Sequence, residues 1–197
     1  LKHDPQSLKN LLIMSNDGHT PVHSAIAKNQ LKNLKIIVDV SKSIGINIEE
    51  IFSVLTAKKE SVFHKAVKSR QSDVLRYLIE LFRNNRELIK KNSFIEDESR
   101  RTAIHIAAYE GHENNLSILL DALKLDKAEI ETLFNIVDVK GKTVLHLAAK
   151  RKWTFSNLTT VLDLLKDGPE LLKNLVSIKD NKGYTPIECA ASGYKTN

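Results

Sequence analysis

The apolar residues of this chain fall into short phrases with helical spacing. Leu31, Leu34, Ile37 and Val38 share one face at three-and-four spacing and predict a helix. Val74, Leu75, Leu78, Ile79 and Phe82 predict a second, Leu116, Leu119, Leu120 and Leu123 a third, and Leu158, Val161, Leu162 and Leu165 a fourth. A shorter phrase precedes each: a short helix from Pro21; Val62, Phe63, Ala66 and Val67; Ile104, Ala107 and Ala108; Leu145, Ala148 and Ala149. A third segment follows each, at Glu49–Leu55, near Glu87–Ile89, around Ile130, Leu133 and Phe134, and around Leu171, Leu172 and Leu175. The expected unit is therefore a short inner helix, a longer outer helix and a short third helix.

The start of the inner helix carries a repeated motif. Thr143-Val144-Leu145-His146-Leu147-Ala148-Ala149 opens on a threonine, a residue that caps helices with its side chain. The same phrase begins at Thr20, Ser61 and Thr102, so His23, His64, His105 and His146 stand 41 residues apart each time. A fifth copy begins at Thr185 and has Glu188 in the histidine slot, 42 residues on. A fixed period in this range signals stacked supersecondary units, whose core is a stripe between neighbours. The expected organisation is one continuous domain over 1–197. Units run over 15–55, 56–96, 97–137 and 138–179, with a truncated last unit over 180–197. Leu-Lys-Asn-Leu occurs at both 8–11 and 172–175 in equivalent settings, so 1–14 reads as the tail of a preceding unit.

These residues resemble the ankyrin repeat: a hairpin turn with Gly, then Thr-Pro-Leu-His-x-Ala-Ala, then an apolar outer helix. Asp138 to Ala149 matches closely, Thr102 to Ala108 matches with Gly111-His112 after it, and Asp180 to Ile187 matches the opening. HEAT and armadillo repeats also tolerate a 41-residue period but lack this phrase. The resemblance implies an all-α solenoid of stacked helix-turn-helix units with hairpin loops, the lengthened period leaving room for the additional short helix. Units this long are similar to those of ankyrin proteins secreted by intracellular bacteria into host cells, although some plant and animal members also carry long loops. Lys59 and Arg100 replace the hairpin glycine, and a positive-φ turn is costly for them, so those two hairpins are expected to be reshaped.

Composition narrows the function. Of 197 residues 30 are Lys or Arg and 24 Asp or Glu, a net charge of +6 that favours acidic partners. No apolar run approaches 18 residues, so no membrane span is expected. One cysteine excludes an internal disulfide framework and fits a reducing compartment. The chain begins at Leu1 without a signal peptide, which suggests a piece of a longer protein, cytoplasmic or, for a secreted effector, in the host cytosol.

Four equivalent histidines invite a metal-site reading. Stacked units would hold them about 10 Å apart, too far to share a metal bound at about 2.0–2.1 Å from each nitrogen. Each imidazole is expected instead to tie its own cap hydroxyl to the adjoining hairpin backbone. Cys189 reads as a small packed residue with no cationic group to activate it. No catalytic constellation and no cofactor site is visible, and a non-enzyme is expected. The resemblance implies a concave groove lined by hairpin tips and inner helices. Mapped by the motif, its candidate residues are Lys58, Lys59, Lys68, Arg100, Arg101, Tyr109, Lys140, Lys142, Lys150, Arg151, Trp153, Lys182 and Tyr184. They imply a monomeric protein-protein interaction module for an acidic segment of another protein, a host protein if the chain is an effector. The charges are interleaved with Glu60, Glu98 and Glu110, so nucleic acid is not the expected partner. The alternatives are the substrate-targeting region of an enzyme whose catalytic domain lies elsewhere, or a scaffold that packs on its own parent chain.

Overall fold

The computed structural model describes residues 5–14, 18–110, 112, 114–150 and 155–192. A helix α1 (Pro5–Ile13) precedes the first unit, which holds α2 (Pro21–Ala27), α3 (Leu31–Ser43) and α4 (Ile48–Phe52). The second holds α5 (Val62–Val67), α6 (Asp73–Leu81) and α7 (Arg86–Phe94). The third holds α8 (Ala103–Glu110), α9 (Asn115–Leu123) and α10 (Lys127–Asn135). The fourth holds α11 (Val144–Lys150), α12 (Phe155–Leu165) and α13 (Pro169–Ser177), and α14 (Pro186–Ser192) follows.

Inner helices stack in the order α2, α5, α8, α11, α14, and outer helices in the order α3, α6, α9, α12. The inner helices are six to eight residues long, too short to persist alone, since isolated helices under about 12–15 residues are marginal in water. Burial on both sides stabilises them. Every residue of α8 from Ala103 to Ala108 is buried, because α5 and α11 cover opposite faces and α9 a third. The alanines let neighbouring backbones approach. The larger side chains, Phe63, Ile104 and Leu145 among them, each contribute on the order of 1.5–3 kcal/mol by leaving water. Outer helices largely follow the predicted apolar face: Leu34, Val38, Leu75, Leu78, Leu116, Leu119 and Val161 are all buried, but Leu162 of α12, predicted on that face, is 37% exposed. The third helices add their own wedge. Phe52 of α4 meets Phe82, at the end of α6, edge to face at 5.3 Å and joins the first two units.

Between units the chain makes a five-residue hairpin. Its first and fifth residues pair: Thr56 N to Glu60 O at 3.1 Å, Asp97 N to Arg101 O at 2.9 Å, Asp138 N to Lys142 O at 2.9 Å and Asp180 N to Tyr184 O at 2.8 Å. The fourth residue is left-handed in every one. Gly18, Gly141 and Gly183 have φ of 75°, 72° and 81°, and Lys59 and Arg100 have 58° and 56°. The expected reshaping of the Lys59 and Arg100 hairpins does not occur. The backbone pattern of the stack outweighs the local preference of a side chain, which costs about 1–2 kcal/mol per residue.

Replacing Lys59 or Arg100 by glycine should therefore stabilise the fold, by up to about 1 kcal/mol each, read as a rise in the urea midpoint. Gly141→Ala should do the reverse. It adds the left-handed penalty, and a Cβ there would lie 2.4 Å from Asn181 Oδ1.

Candidate interaction groove

The motif threonines and histidines are buried at the start of the inner helices. The hydroxyls of Thr20, Ser61, Thr102 and Thr143 each approach the Nδ1 of their own histidine at 2.8–2.9 Å. Backbone N–H groups of Ser61, Thr102 and Thr143 donate to the same nitrogens at 3.1, 3.4 and 3.2 Å. An N–H can only donate, so Nδ1 is unprotonated there and Nε2 carries the ring hydrogen. That hydrogen is given to the next unit: His64 to the Arg101 carbonyl at 2.9 Å and His146 to the Tyr184 carbonyl at 3.0 Å. The expected tie to the hairpin thus holds at these two, but not at His23, whose buried Nε2 has no hydrogen-bond partner among the described residues. His105 instead donates to Ile136 at 3.1 Å, two residues ahead of the hairpin. Glu188 reproduces the accepting half, taking the Thr185 N–H at 2.7 Å and its hydroxyl at 2.9 Å, and has no proton to hand on when ionised.

Burial pushes these imidazoles towards the neutral form, His23 and His105 down to about 4 and His64 and His146 in the same direction.

Charge around the groove is sorted by depth. At the fifth hairpin position, Arg101 Nε stands 3.4 Å from Asp138 and Lys142 Nζ 2.6 Å from Asp180. Both are cross-unit ion pairs. The acids are first residues of the next hairpin and are 0% and 1% exposed at the side chain. Asp138 also accepts the N–H groups of Lys140 and Lys142, and Asp180 those of Lys182 and Tyr184, at 2.8–3.0 Å. Burial works to raise the Asp180 carboxyl, but the bond from Lys142 and those N–H groups outweigh it and lower its pKa. For Lys142, burial pulls downward and the Asp180 bond prevails, leaving the amine raised. Arg101 further lies over the Tyr109 ring, 5.8 Å from its centroid. In the second unit the polarity is reversed. Glu60, which the sequence places among exposed charges, is buried and bound by Lys65 and Lys68. Burial alone would raise its carboxyl, but those two lysines lower it to about 2.

Of the thirteen candidate residues, six line one groove of about 440 Å³: Arg101, Tyr109, Lys140, Lys142, Lys182 and Tyr184. Leu147, Val139 and Cys189 supply its apolar surface. Lys58, Lys59, Arg100, Lys140 and Lys182 are exposed at the tips, and Tyr184 is 47% exposed. Arg100 lies 3.6 Å from Glu96, at a largely solvated site. Lys142, Arg101 and Lys68 are engaged in ion pairs within the chain. Arg151 and Trp153 lie outside the described residues, as does the side chain of Lys150. Cys189 is packed as expected, but not without a cation nearby, since the Lys142 amine donates to its sulfur at 3.4 Å. Among the described residues no cluster of His, Cys, Asp or Glu has the arrangement of a metal site.

Two asparagines escaped the sequence reading. Asn115 Nδ2 donates to the carbonyls of Val67 and Ser69 at 3.2 and 2.8 Å, and Asn157 Nδ2 to those of Ala107 and Ala108 at 3.1 Å each. Each satisfies carbonyls at the end of the preceding unit's inner helix, groups a helix leaves unpaired. The readable signal was an asparagine 42 residues from another on an otherwise apolar helix face.

Inner and outer helix pairs, left-handed hairpins and threonine-histidine caps define an all-α repeat solenoid. Residues 47–132 match the family model of ankyrin repeats, in three copies, a fold that serves generally in protein-protein interaction. Its sequence is 26% identical over 165 residues to a protein of Arabidopsis thaliana named "Putative E3 ubiquitin-protein ligase XBAT31". The match covers 68% of this chain and 36% of that protein, so the chain spans only about a third of this relative. No helix among the described residues is long and apolar enough to cross a membrane.

The histidine geometry predicts acid sensitivity. The unfolded chain takes up protons near pH 6.5, whereas folded His23 and His105 resist until about pH 4. Stability is therefore complete above pH 6.5 and falls as pH drops through that window, by about 1.4 kcal/mol per pH unit for each resisting histidine. Urea unfolding at several pH values checks this, and between pH 6.5 and 4.5 the slope isolates the histidines from Glu60, whose loss lies between about 4.5 and 2. Asn115→Ala should cost about 1–3 kcal/mol in the same assay, since it strands two carbonyls.

Proposed function

We propose that the concave side of units two to five binds another protein through an acidic segment. The supporting observation is the sorting of charge by depth. Arg101 and Lys142 are already neutralised by Asp138 and Asp180, while Lys58, Lys59, Arg100, Lys140 and Lys182 stand exposed above them. The exposed cations attract and orient an acidic segment. The exposed Tyr184 and Val139, together with the partly buried Tyr109, provide apolar area for a side chain beside the acids. Rigid stacking lowers the ordering cost of binding.

A second reading has one observation in its favour. The plant relative is named as an E3 ubiquitin-protein ligase and is much longer than this chain, which fits an array that targets substrates for an enzyme carried elsewhere on its chain. Both readings use the same groove. The reading as a secreted bacterial effector rests on repeat length alone.

Charge reversal must spare Arg101 and Lys142, whose loss would unpair buried Asp138 and Asp180. The variant Lys59→Glu, Lys140→Glu, Lys182→Glu should retain its fold by circular dichroism and weaken partner capture about tenfold or more. Wild-type capture should fall as salt rises from about 50 to about 200 mM. Capture unchanged by both treatments would end the acidic-segment reading.

A further inference from the structure

The exposed cations recur with the repeat, which constrains the partner beyond its charge. In each of four successive hairpins, the third or fourth residue is an exposed cation: Lys58 with Lys59, then Arg100, then Lys140, then Lys182. The hairpins are joined edge to edge by backbone hydrogen bonds. Glu98 N–H donates to Lys58 O at 3.1 Å, Val139 N–H to Ser99 O at 3.0 Å and Asn181 N–H to Lys140 O at 2.9 Å. Each hairpin therefore occupies two strand spacings, and equivalent tips follow one another at about 10 Å.

Resting on the acidic-segment reading, we infer that the bound segment is a polyproline II stretch with a carboxylate at every third residue, one for each repeat. Polyproline II has three residues per turn and about 3.1 Å rise, so residues i, i+3, i+6 and i+9 lie on one side at about 9 Å intervals. A β-strand does not fit. Its same-face residues recur at about 6.7 and 13 Å, and its i+3 residue points away. An α-helix also offers acids at i and i+7, about 10.5 Å apart, but these meet the repeat only at every second turn, whereas polyproline II sets one turn and one carboxylate against each repeat. The other two residues of each turn face the tyrosines or solvent.

The experiment uses three fluorescein-labelled twelve-residue peptides: four Glu-Pro-Pro triplets, the same composition with the glutamates contiguous, and a helical alanine-rich peptide with glutamates seven apart. Anisotropy titration should give the triplet peptide an affinity at least about fivefold above the other two, and Lys140→Glu should remove that advantage. Lys166→Glu, beyond the end of α12, should leave it intact. Equal affinities, a better helical peptide, or tighter binding of a single-stranded oligonucleotide would each overturn the inference. The broader reading is judged separately by the triple variant in partner capture: capture lost with peptides indifferent to register removes the spacing inference alone.

Discussion

The stack depends on an imidazole that faces two ways. At His64 and His146, Nδ1 accepts from the cap residue of its own helix, and Nε2–H reaches a carbonyl of the next unit. One ring thereby starts a helix that is too short to persist by itself and fixes the position of its neighbour. The arrangement requires a neutral ring, because a proton on Nδ1 would oppose the backbone N–H that points at it. Burial keeps it neutral by the same packing that the tie makes possible.

The carbonyl that receives the proton belongs to the hairpin at His64 and His146, so hairpin shape becomes a requirement of the helix stack. This explains why Lys59 and Arg100 accept a left-handed backbone that glycine adopts more easily. It also explains the acidic residue that opens three of the hairpins. Asp97, Asp138 and Asp180 each turn a carboxylate onto backbone N–H groups of the turn. Asp138 and Asp180 are then buried with a cation from the unit before. Basic residues at the fifth position thus belong to the scaffold, and those one or two places earlier stay exposed to solvent.

Much of the architecture was legible. The 41-residue recurrence, the capping threonine three residues before histidine and the three apolar phrases per unit are local signals, and α3, α6 and α9 bury the faces that their spacing predicts, as α12 does apart from Leu162. Six of the thirteen positions mapped by the motif line one cavity. The state of those positions was not legible. Arg101 and Asp138 are 37 residues apart and Lys142 and Asp180 38 apart, so nothing in the local pattern marks them as partners. Asn115 and Asn157 were missed for the same reason: their acceptors lie 46 to 50 residues back.

The sequence by itself determined the helices, their period and the tautomer-demanding cap, because each follows from groups within a few residues of one another. The tertiary structure alone decided which charges are spent inside the molecule. Stacking sets the first residue of one hairpin against the fifth of the hairpin before it. The low dielectric there makes an unpaired Asp138 or Asp180 costly, so Arg101 and Lys142 turn inward. At Lys58, Lys59, Lys140 and Lys182 solvent meets that need, and the cation stays outside.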